Sequence, residues 1–262
     1  MKCLSRVAAL VPLLILGCFS SAQSAEKITV AFGEVLAPWV LADTNRGIII
    51  DLFDTAMSPL GYEVVPVYSP YARRSKVYQS GSIDVVSDMN LNTVNQHELQ
   101  GFLSDVAYSY ENFAFSLHKK QYQFKQLSDL EKQSLLSWQD AKIHLGTDYA
   151  NMANNNPQYS ETFDQSIQVK MLFLERYEVI QMDASIFEYY RNKIATEGKV
   201  DVSQKVDRFA LFGPSPNGFM FKSEKMRDEF NQRLKQIKAS GQYQKIFARY
   251  IPALDQAEPQ RP

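Results

Sequence analysis

The stretch that constrains the fold most strongly is GSIDVVSDMNLNTVNQHELQGFLSDVAYSY, residues 81–110. An apolar run that ends at Val86 gives way at once to small polar residues, among them Ser87, Asp88 and Asn90. A strand that ends in polar residues brings hydrogen-bonding groups to a crevice, and in open α/β sheets ligands bind at the carboxyl ends of the strands. The stretch therefore predicts a buried strand with a ligand site at its end.

The residues before this stretch alternate between strand and helix patterns. Residues 27–32 (KITVAF) and 62–68 are typical of strands, and residues 47–60 and 70–81 are typical of helices. With the strand at 83–86, this order and spacing predict a parallel α/β layer.

The residues after it predict a second α/β unit. The predicted strands are residues 112–118, 142–146, 169–172 and 184–187, and the predicted helices are residues 127–138, a segment beginning near 148, 175–182 and 188–195. Residues 151–157 are typical of a loop or a frayed helix end, and residues 213–218 (GPSPNG) form the strongest turn cluster. A strand at 218–222 and helices at 222–239 and 242–250 follow. We expect the chain to cross between two lobes near 108–112 and to return near 213–218.

The first 25 residues have the layout of a secretory signal peptide. Lys2 and Arg6 precede the apolar run 7–17, and residues 22–25 supply small side chains for cleavage. The run is too short to span a bilayer, which needs about 20 apolar residues. Cys18 also fits, loosely, the lipidated cysteine of a bacterial lipoprotein, so soluble export and lipid anchoring both stay open.

The composition excludes several classes of function. Cleavage after residue 25 would leave 237 residues without cysteine, with 26 basic and 29 acidic residues and a net charge of −3. This balance argues against nucleic acid or an anionic membrane surface as the main partner, and the absence of cysteine excludes thiol catalysis. The three histidines, His97, His118 and His144, are too far apart to suggest a metal site. We expect neither a metal nor a cofactor.

The order of several weak motifs carries a resemblance to a known family. They are KITVAFGE, APWV, GIIIDLFDTAMSPLGYEV, SPYARRSKVYQSGSIDVV, NTVNQHELQGFLSDVAYSYENFAFSLHK, IHLGTDYA, MDASIFEYY and GFMFKSEKMRDEFNQRLKQIKASGQYQKIFARY. In this order they resemble the bacterial extracellular (periplasmic) solute-binding proteins of family 3, the substrate-binding type of polar amino-acid ABC transporters. The resemblance implies a type II, two-lobe periplasmic-binding-protein-like α/β fold, with two crossing strands as the hinge. The first lobe would comprise residues 26–110 and 217–262, and the second lobe residues 111–216.

The resemblance also implies a function. The chain would be a non-enzymatic, monomeric periplasmic receptor that captures a small polar solute, amino-acid-like or other, by hinge closure. It would deliver the solute to an inner-membrane ABC permease or to a sensor protein. An enzyme similar to the cyclohexadienyl dehydratases, which share this fold, is the alternative. A member that binds a partner protein and no small ligand is a third hypothesis.

Positions carried over from the family in the first lobe each have an ordinary structural alternative. Trp39 could stack on a ligand or belong to the core. Tyr71 and Arg73 match a Pro-Trp-x-Arg variant of the family, in which Arg73 could bind an anionic group or could lie on a solvated helix face. Asp88 and Asn90 match a small polar segment that grips the ligand, or they form a plain turn.

Gln96 departs from the family's pattern. Amino-acid binders carry an arginine three residues after the threonine that corresponds to Thr93, and this arginine clamps the α-carboxylate. Glutamine at position 96 cannot make a charge-assisted bidentate bond, which weakens the case for an ordinary amino acid as the ligand.

Two candidates come from the second lobe. Thr147, after Gly146, matches a hydroxyl residue that donates to the ligand's anionic end, or it is a simple helix cap. Glu188 lies five residues after Asp183, where the family places its ammonium-binding acid, or it is a solvent-facing helix residue. If Glu188 and Asp88 both line the cleft, a cationic or zwitterionic ligand is favoured; Arg73 in the cleft would reverse this preference.

Overall fold

A computed structural model describes residues 25–251 of the chain. The strands are β1 (Glu26–Gly33), β2 (Tyr62–Ser69), β3 (Val85–Met89), β4 (Phe102–Leu103), β5 (Tyr108–Leu117), β6 (Leu135–Trp138), β7 (Tyr159–Thr162), β8 (Val179–Asp183), β9 (Val206–Phe209) and β10 (Pro214–Phe221). The α-helices are α1 (Ile48–Met57), α2 (Tyr71–Gln79), α3 (Leu91–Gln96), α4 (Ala141–His144), α5 (Thr147–Asn155), α6 (Gln165–Phe173), α7 (Ala184–Glu197), α8 (Glu224–Ala239) and α9 (Gln242–Ala248). The signal sequence, Cys18 and the final eleven residues lie outside the described part, apart from Ala25.

The first lobe is built on the strands that the sequence predicts around residues 27–86. β1 pairs in parallel with both β2 and β3, and β10 closes the other side of β3 in the antiparallel direction. Successive apolar residues of β1 are buried on both faces, as a parallel strand covered by helices requires. One face of this sheet packs against α1 and α8, where Phe53, Phe219 and Phe230 form an aromatic cluster. The ring centroid of Phe53 lies 4.9 Å from that of Phe219 and 5.5 Å from that of Phe230.

Two long strands connect the lobes. Residues 108–111 of β5 pair in the antiparallel direction with residues 214–217 of β10, and each strand continues into the sheet of a different lobe. The predicted lobe boundaries, at 110/111 and 216/217, stay predictions; both positions fall inside this paired segment. The segment 213–218 was predicted as a turn, which is wrong beyond Gly213, because Pro214 begins β10.

The second lobe has a short mixed sheet. β8 pairs in parallel with β6, which pairs in parallel with β7, while β5 is antiparallel to β8 and β9. α7 packs on this sheet through Phe187, whose ring stacks on Phe115 at a centroid distance of 4.2 Å. Within residues 25–251 no helix is both long enough and apolar enough to cross a membrane.

Several predictions for the second lobe were wrong, although the α/β class is confirmed. Two predicted helices contain strands: residues 127–138 are a 3-10 turn followed by β6, and residues 175–182 contain most of β8. Three predicted strands are helical: residues 142–146 are mostly α4, residues 169–172 lie in α6, and residues 184–187 begin α7. The asparagine run at 151–157 lies largely in α5 rather than in a loop. Short apolar runs cannot be assigned by periodicity alone. The side chain of Asp183 accepts hydrogen bonds from the backbone N–H groups of Ser185 and Ile186, so it starts a helix where the apolar run suggested a strand.

Candidate functional site

A cavity of about 50 Å³ lies between the two lobes. The first lobe contributes the end of β1 with the residues after it, and the start of α2. The second lobe contributes the ends of β6 and β8, the starts of α6 and α7, and α4. The polar and aromatic side chains around the cavity are Glu34, Tyr71, Tyr110, Asn112, Trp138, Gln139, His144, Phe163, Gln165 and Asp183. The carboxyl ends of β1, β6 and β8 thus meet at one crevice, as expected for an α/β ligand site.

Asp88 lies behind this cavity at the end of β3, fully buried and with a positive φ of 58°. Its carboxylate forms an ion pair with Arg74 and accepts hydrogen bonds from the hydroxyls of Tyr108 and Tyr110. Burial acts to raise the pKa of Asp88, but the charge of Arg74 and the hydrogen bonds from Tyr110, Arg74 and Ser87 outweigh it and hold the pKa below its ordinary value. Asp88 and Arg74 therefore neutralise each other.

His144 joins the lobes. It is buried, and its Nδ1 contacts the hydroxyl of Tyr71 and lies 3.1 Å from the hydroxyl of Thr93, both in the first lobe. The side-chain amides of Asn90 and Asn92 each donate to its carbonyl oxygen at 3.2 Å. Burial, reinforced by the charge of Arg74, lowers the pKa of His144 to about 4, although Asp88 opposes the shift. A neutral imidazole therefore holds the two lobes together.

Aromatic rings fill much of the space around this contact. The ring of Tyr71 lies 5.1 Å from that of Trp138 and 5.5 Å from that of His144, and the latter two rings are 5.3 Å apart. All three pairs are edge-to-face, the arrangement that the aromatic quadrupole favours. This packing explains why the remaining cavity is small.

Asp183 is the acidic group of the second lobe at the cavity, and only 3% of it is exposed. Its carboxylate accepts hydrogen bonds from Trp39 Nε1 at 3.0 Å, from the backbone N–H of Glu111 at 2.9 Å, and from the first turn of α7. Burial raises its pKa to about 6, and these hydrogen bonds oppose the rise without cancelling it. Unlike Asp88, Asp183 has no ion pair with any residue between 25 and 251.

The structure brings together four of the residues that the sequence singled out. Tyr71 lines the cavity. Asp88 supports it from behind, through Tyr110 and Arg74. Asn90 caps α3 by accepting from the backbone N–H of Thr93 and also bonds to His144. Trp39 is buried and reaches the site through its hydrogen bond to Asp183 and through an edge-to-face contact with the ring of Tyr110 at a centroid distance of 4.6 Å, so it belongs to the core and also supports the site.

The other predicted residues lie away from the cavity. Arg73, Gln96 and Thr147 are exposed, and none of them lines it. The strand expected to end at Gly146 is a helix, so Thr147 begins α5 after a helical turn. Glu188 lies one turn into α7 and lines a different groove, together with Arg191 and Asp201.

Sequence reasoning missed His144, Asp183 and the two glutamines, Gln139 and Gln165. The resemblance placed Asp183 at a strand start and the ammonium-binding acid five residues later, at Glu188, whereas in the structure Asp183 ends β8 and caps α7. His144 was considered only as a metal ligand. Among residues 25–251 no group of three or more histidine, cysteine, aspartate or glutamate residues could hold a metal ion.

Two α/β lobes, two connecting strands and a polar crevice between the lobes define the two-lobe architecture of periplasmic binding proteins. The chain belongs to the bacterial extracellular solute-binding proteins, family 3, whose pattern matches residues 28–253. No curated protein matches the chain.

Solved structures share the fold at low sequence identity. A histidine kinase sensor domain with similarity to periplasmic binding proteins has a TM-score of 0.71 and 15% identity, covering 90% of this chain and 99% of that one. An ancestral arginine-binding protein bound to arginine has a TM-score of 0.69 and 19% identity, covering 87% and 99%. The ancestral amino acid-binding protein AncCDT-1, a precursor of cyclohexadienyl dehydratase, has a TM-score of 0.65 and 19% identity, covering 86% and 94%.

Proposed function

We propose that this protein is a periplasmic receptor that binds a small, positively charged or zwitterionic solute between its lobes and closes around it. It then delivers the solute to an ABC importer or to a membrane sensor. The family membership supports the solute-binding role. The observation that carries the charge preference is Asp183, a buried carboxylate at the interlobe cavity without a cationic partner among the described residues.

Contacts between the lobes support hinge closure. Tyr71 and Thr93 contact His144, and the side chain of Trp39 bonds to Asp183, so both lobes contribute to one site. A ligand that adds contacts with both lobes binds the closed form more tightly than the open form, and this difference drives closure. The paired segments of β5 and β10 are where we place the hinge.

A solute screen tests the proposal. The purified mature chain is heated with amino acids, amines, organic acids and sugars, and small-angle scattering is recorded with each solute that raises the melting temperature. We expect one solute class to raise the melting temperature, because ligand binding to the folded state stabilises it. With that solute bound, the scattering should correspond to a compact particle in which the two lobes are closed. A screen without any stabilising solute would contradict the receptor function.

The enzymatic alternative is distinguished by the fate of the bound solute. A carboxyl group with a pKa of about 6, such as Asp183, suits general acid–base catalysis near neutral pH, so this alternative has a physical basis. The solute released after long incubation is compared with the starting compound by NMR. A receptor returns it unchanged, whereas conversion to a product would replace the receptor proposal with an enzyme.

A further inference from the structure

We propose that the solute is a primary amine that carries no carboxylate group. This inference rests on the proposed receptor function and deepens it, because it names the ligand class. It depends on the hydrogen-bond acceptors that line the interlobe cavity and on the absence of lysine and arginine from its described lining.

The polar groups at the second-lobe side of the cavity include hydrogen-bond acceptors that have no donor among the described residues. Gln165 is 7% exposed, and its side-chain Oε1 is buried without a hydrogen-bond partner within residues 25–251. The Oε1 atom of Gln139 is likewise buried and unpartnered, and both residues line the cavity with Asp183. Buried acceptors without partners are costly, and a ligand that donates to them recovers this cost. An ammonium group offers three N–H donors and a positive charge for the carboxylate.

A ligand carboxylate would find no counter-charge among the described residues of the cavity wall. None of the described side chains that line the cavity is lysine or arginine. The guanidinium of Arg74 is nearby, and its Nε is buried without a hydrogen-bond partner among the described residues, but its Nη1 forms a buried ion pair with Asp88. Drawing Arg74 away to a ligand would leave Asp88 charged and without its cation. Arg73 is exposed and outside the cavity. A carboxylate on the ligand would therefore be desolvated beside Asp183 without a counter-charge, which is strongly unfavourable.

The walls describe the rest of the ligand. Val35, Leu36, Trp138, Phe163 and Ile186 give the cavity an apolar lining, so a short aliphatic or aromatic body fits beside the amine. Phe163 is 62% exposed and marks the solvent edge of the cavity. A volume of about 50 Å³ accommodates a small head group, and a longer body would have to extend past Phe163 or displace the Tyr71 ring.

Matched pairs of amines and amino acids test the ligand class. Isobutylamine is compared with L-valine, isoamylamine with L-leucine, and agmatine with L-arginine, by calorimetry and melting temperature. We expect at least one amine to bind ten or more times tighter than its carboxylated partner, and its N-trimethyl derivative to lose at least as much, because that cation has no N–H donors. Amino acids that bind as tightly as their amines would overturn the amine class and leave the receptor function standing. Binding of only an acid or a sugar would overturn the amine class together with the proposed charge preference and leave the receptor role standing, whereas no binding in any class would overturn both proposals.

Variants tie the amine to the cavity. Asp183→Asn keeps an N-cap side chain for α7 but removes the charge, and Gln165→Leu removes an acceptor. Both should weaken binding of the best amine at least tenfold, while Glu197→Gln, a matched loss of charge at the far end of the same helix, should leave the affinity unchanged. Unchanged binding by Asp183→Asn, in a variant whose melting temperature shows that it is folded, would refute the inference.

Discussion

Acidification should act on the stability of this protein through two buried groups of the interlobe cavity, with opposite signs. Burial lowers the pKa of His144 from its ordinary 6.5 to about 4. Between these values the unfolded chain takes up a proton that the folded chain does not, so the folded state loses stability as the pH falls. Burial raises the pKa of Asp183 from 3.8 to about 6, so here the folded chain takes up the proton first and gains stability as the pH falls.

The two effects are of similar size. From pH 7.5 to pH 5, the linkage relation gives a loss of about 2 kcal/mol of unfolding free energy through His144 and a gain of about 1 kcal/mol through Asp183. The charged groups that act on His144, Arg74 and Asp88, stay the same in variants at either position. Between pH 7.5 and pH 5, the unfolding free energy of His144→Gln should therefore rise by about 2 kcal/mol relative to that of wild type. The unfolding free energy of Asp183→Asn should fall by about 1 kcal/mol relative to that of wild type.

Urea unfolding followed by tryptophan fluorescence at the two pH values measures these differences. Each variant is compared with wild type at both values, so the contribution of the remaining carboxylates cancels. The reasoning depends on opposite signs for the two variants. Curves that change in parallel with wild type, or changes of the same sign in both variants, would show that His144 and Asp183 do not have these protonation states in the folded protein.

Two further predictions concern the structural support of the site. Arg74→Met leaves the carboxylate of Asp88 buried without its cation and should lower the unfolding free energy by about 3–5 kcal/mol. Arg73→Met, at the exposed neighbouring position, should change the unfolding free energy by less than about 0.5 kcal/mol. Equal effects of the two variants in denaturant titrations would argue against the buried ion pair. Gly101→Ala would place a methyl group against the carbonyl of Phe221 and the hydroxyl of Tyr78 at a φ of 138°, so we expect a loss of at least about 2 kcal/mol. Gly198→Ala, which has open space at a φ of 66°, should lose only about 1 kcal/mol, and a reversed order of melting temperatures would contradict this account.

Elements of the first lobe could be predicted because several signals agreed there. The run of buried apolar residues in β1, the amphipathic helix α1 and the polar end of β3 all pointed to a parallel layer. In the second lobe the segments are short, and an apolar run such as residues 169–173 fits either a strand or one face of a helix. Packing of α6 against the sheet decides the matter, and packing is not a local property.

The candidate site shows the same division. Asp88 was singled out because it lies at the polar end of a predicted strand. Its ion pair with Arg74 and its hydrogen bonds from two tyrosines were not predicted, since these partners lie 14 to 22 positions away in the sequence. The sequence does not show whether a given carboxylate will form an ion pair with a cation in the folded protein. Asp183 and Asp88 are alike in the sequence and opposite in the structure, because Asp183 has no ion pair among the described residues, whereas Asp88 is neutralised by Arg74.

The sequence by itself determined the class of this protein: an α/β chain with two lobes, without cysteine after its first 25 residues, whose motifs follow the order of a solute-binding family. Apolar periodicity and the polar ends of strands are local, so they can be read residue by residue. Tertiary structure alone decided that His144 contacts the first lobe. It also decided that, among the described residues, Asp183 has no cationic partner and the side-chain oxygens of Gln139 and Gln165 have no hydrogen-bond donor. Charge pairing and burial depend on residues far apart in the chain, so only the folded structure could assign them.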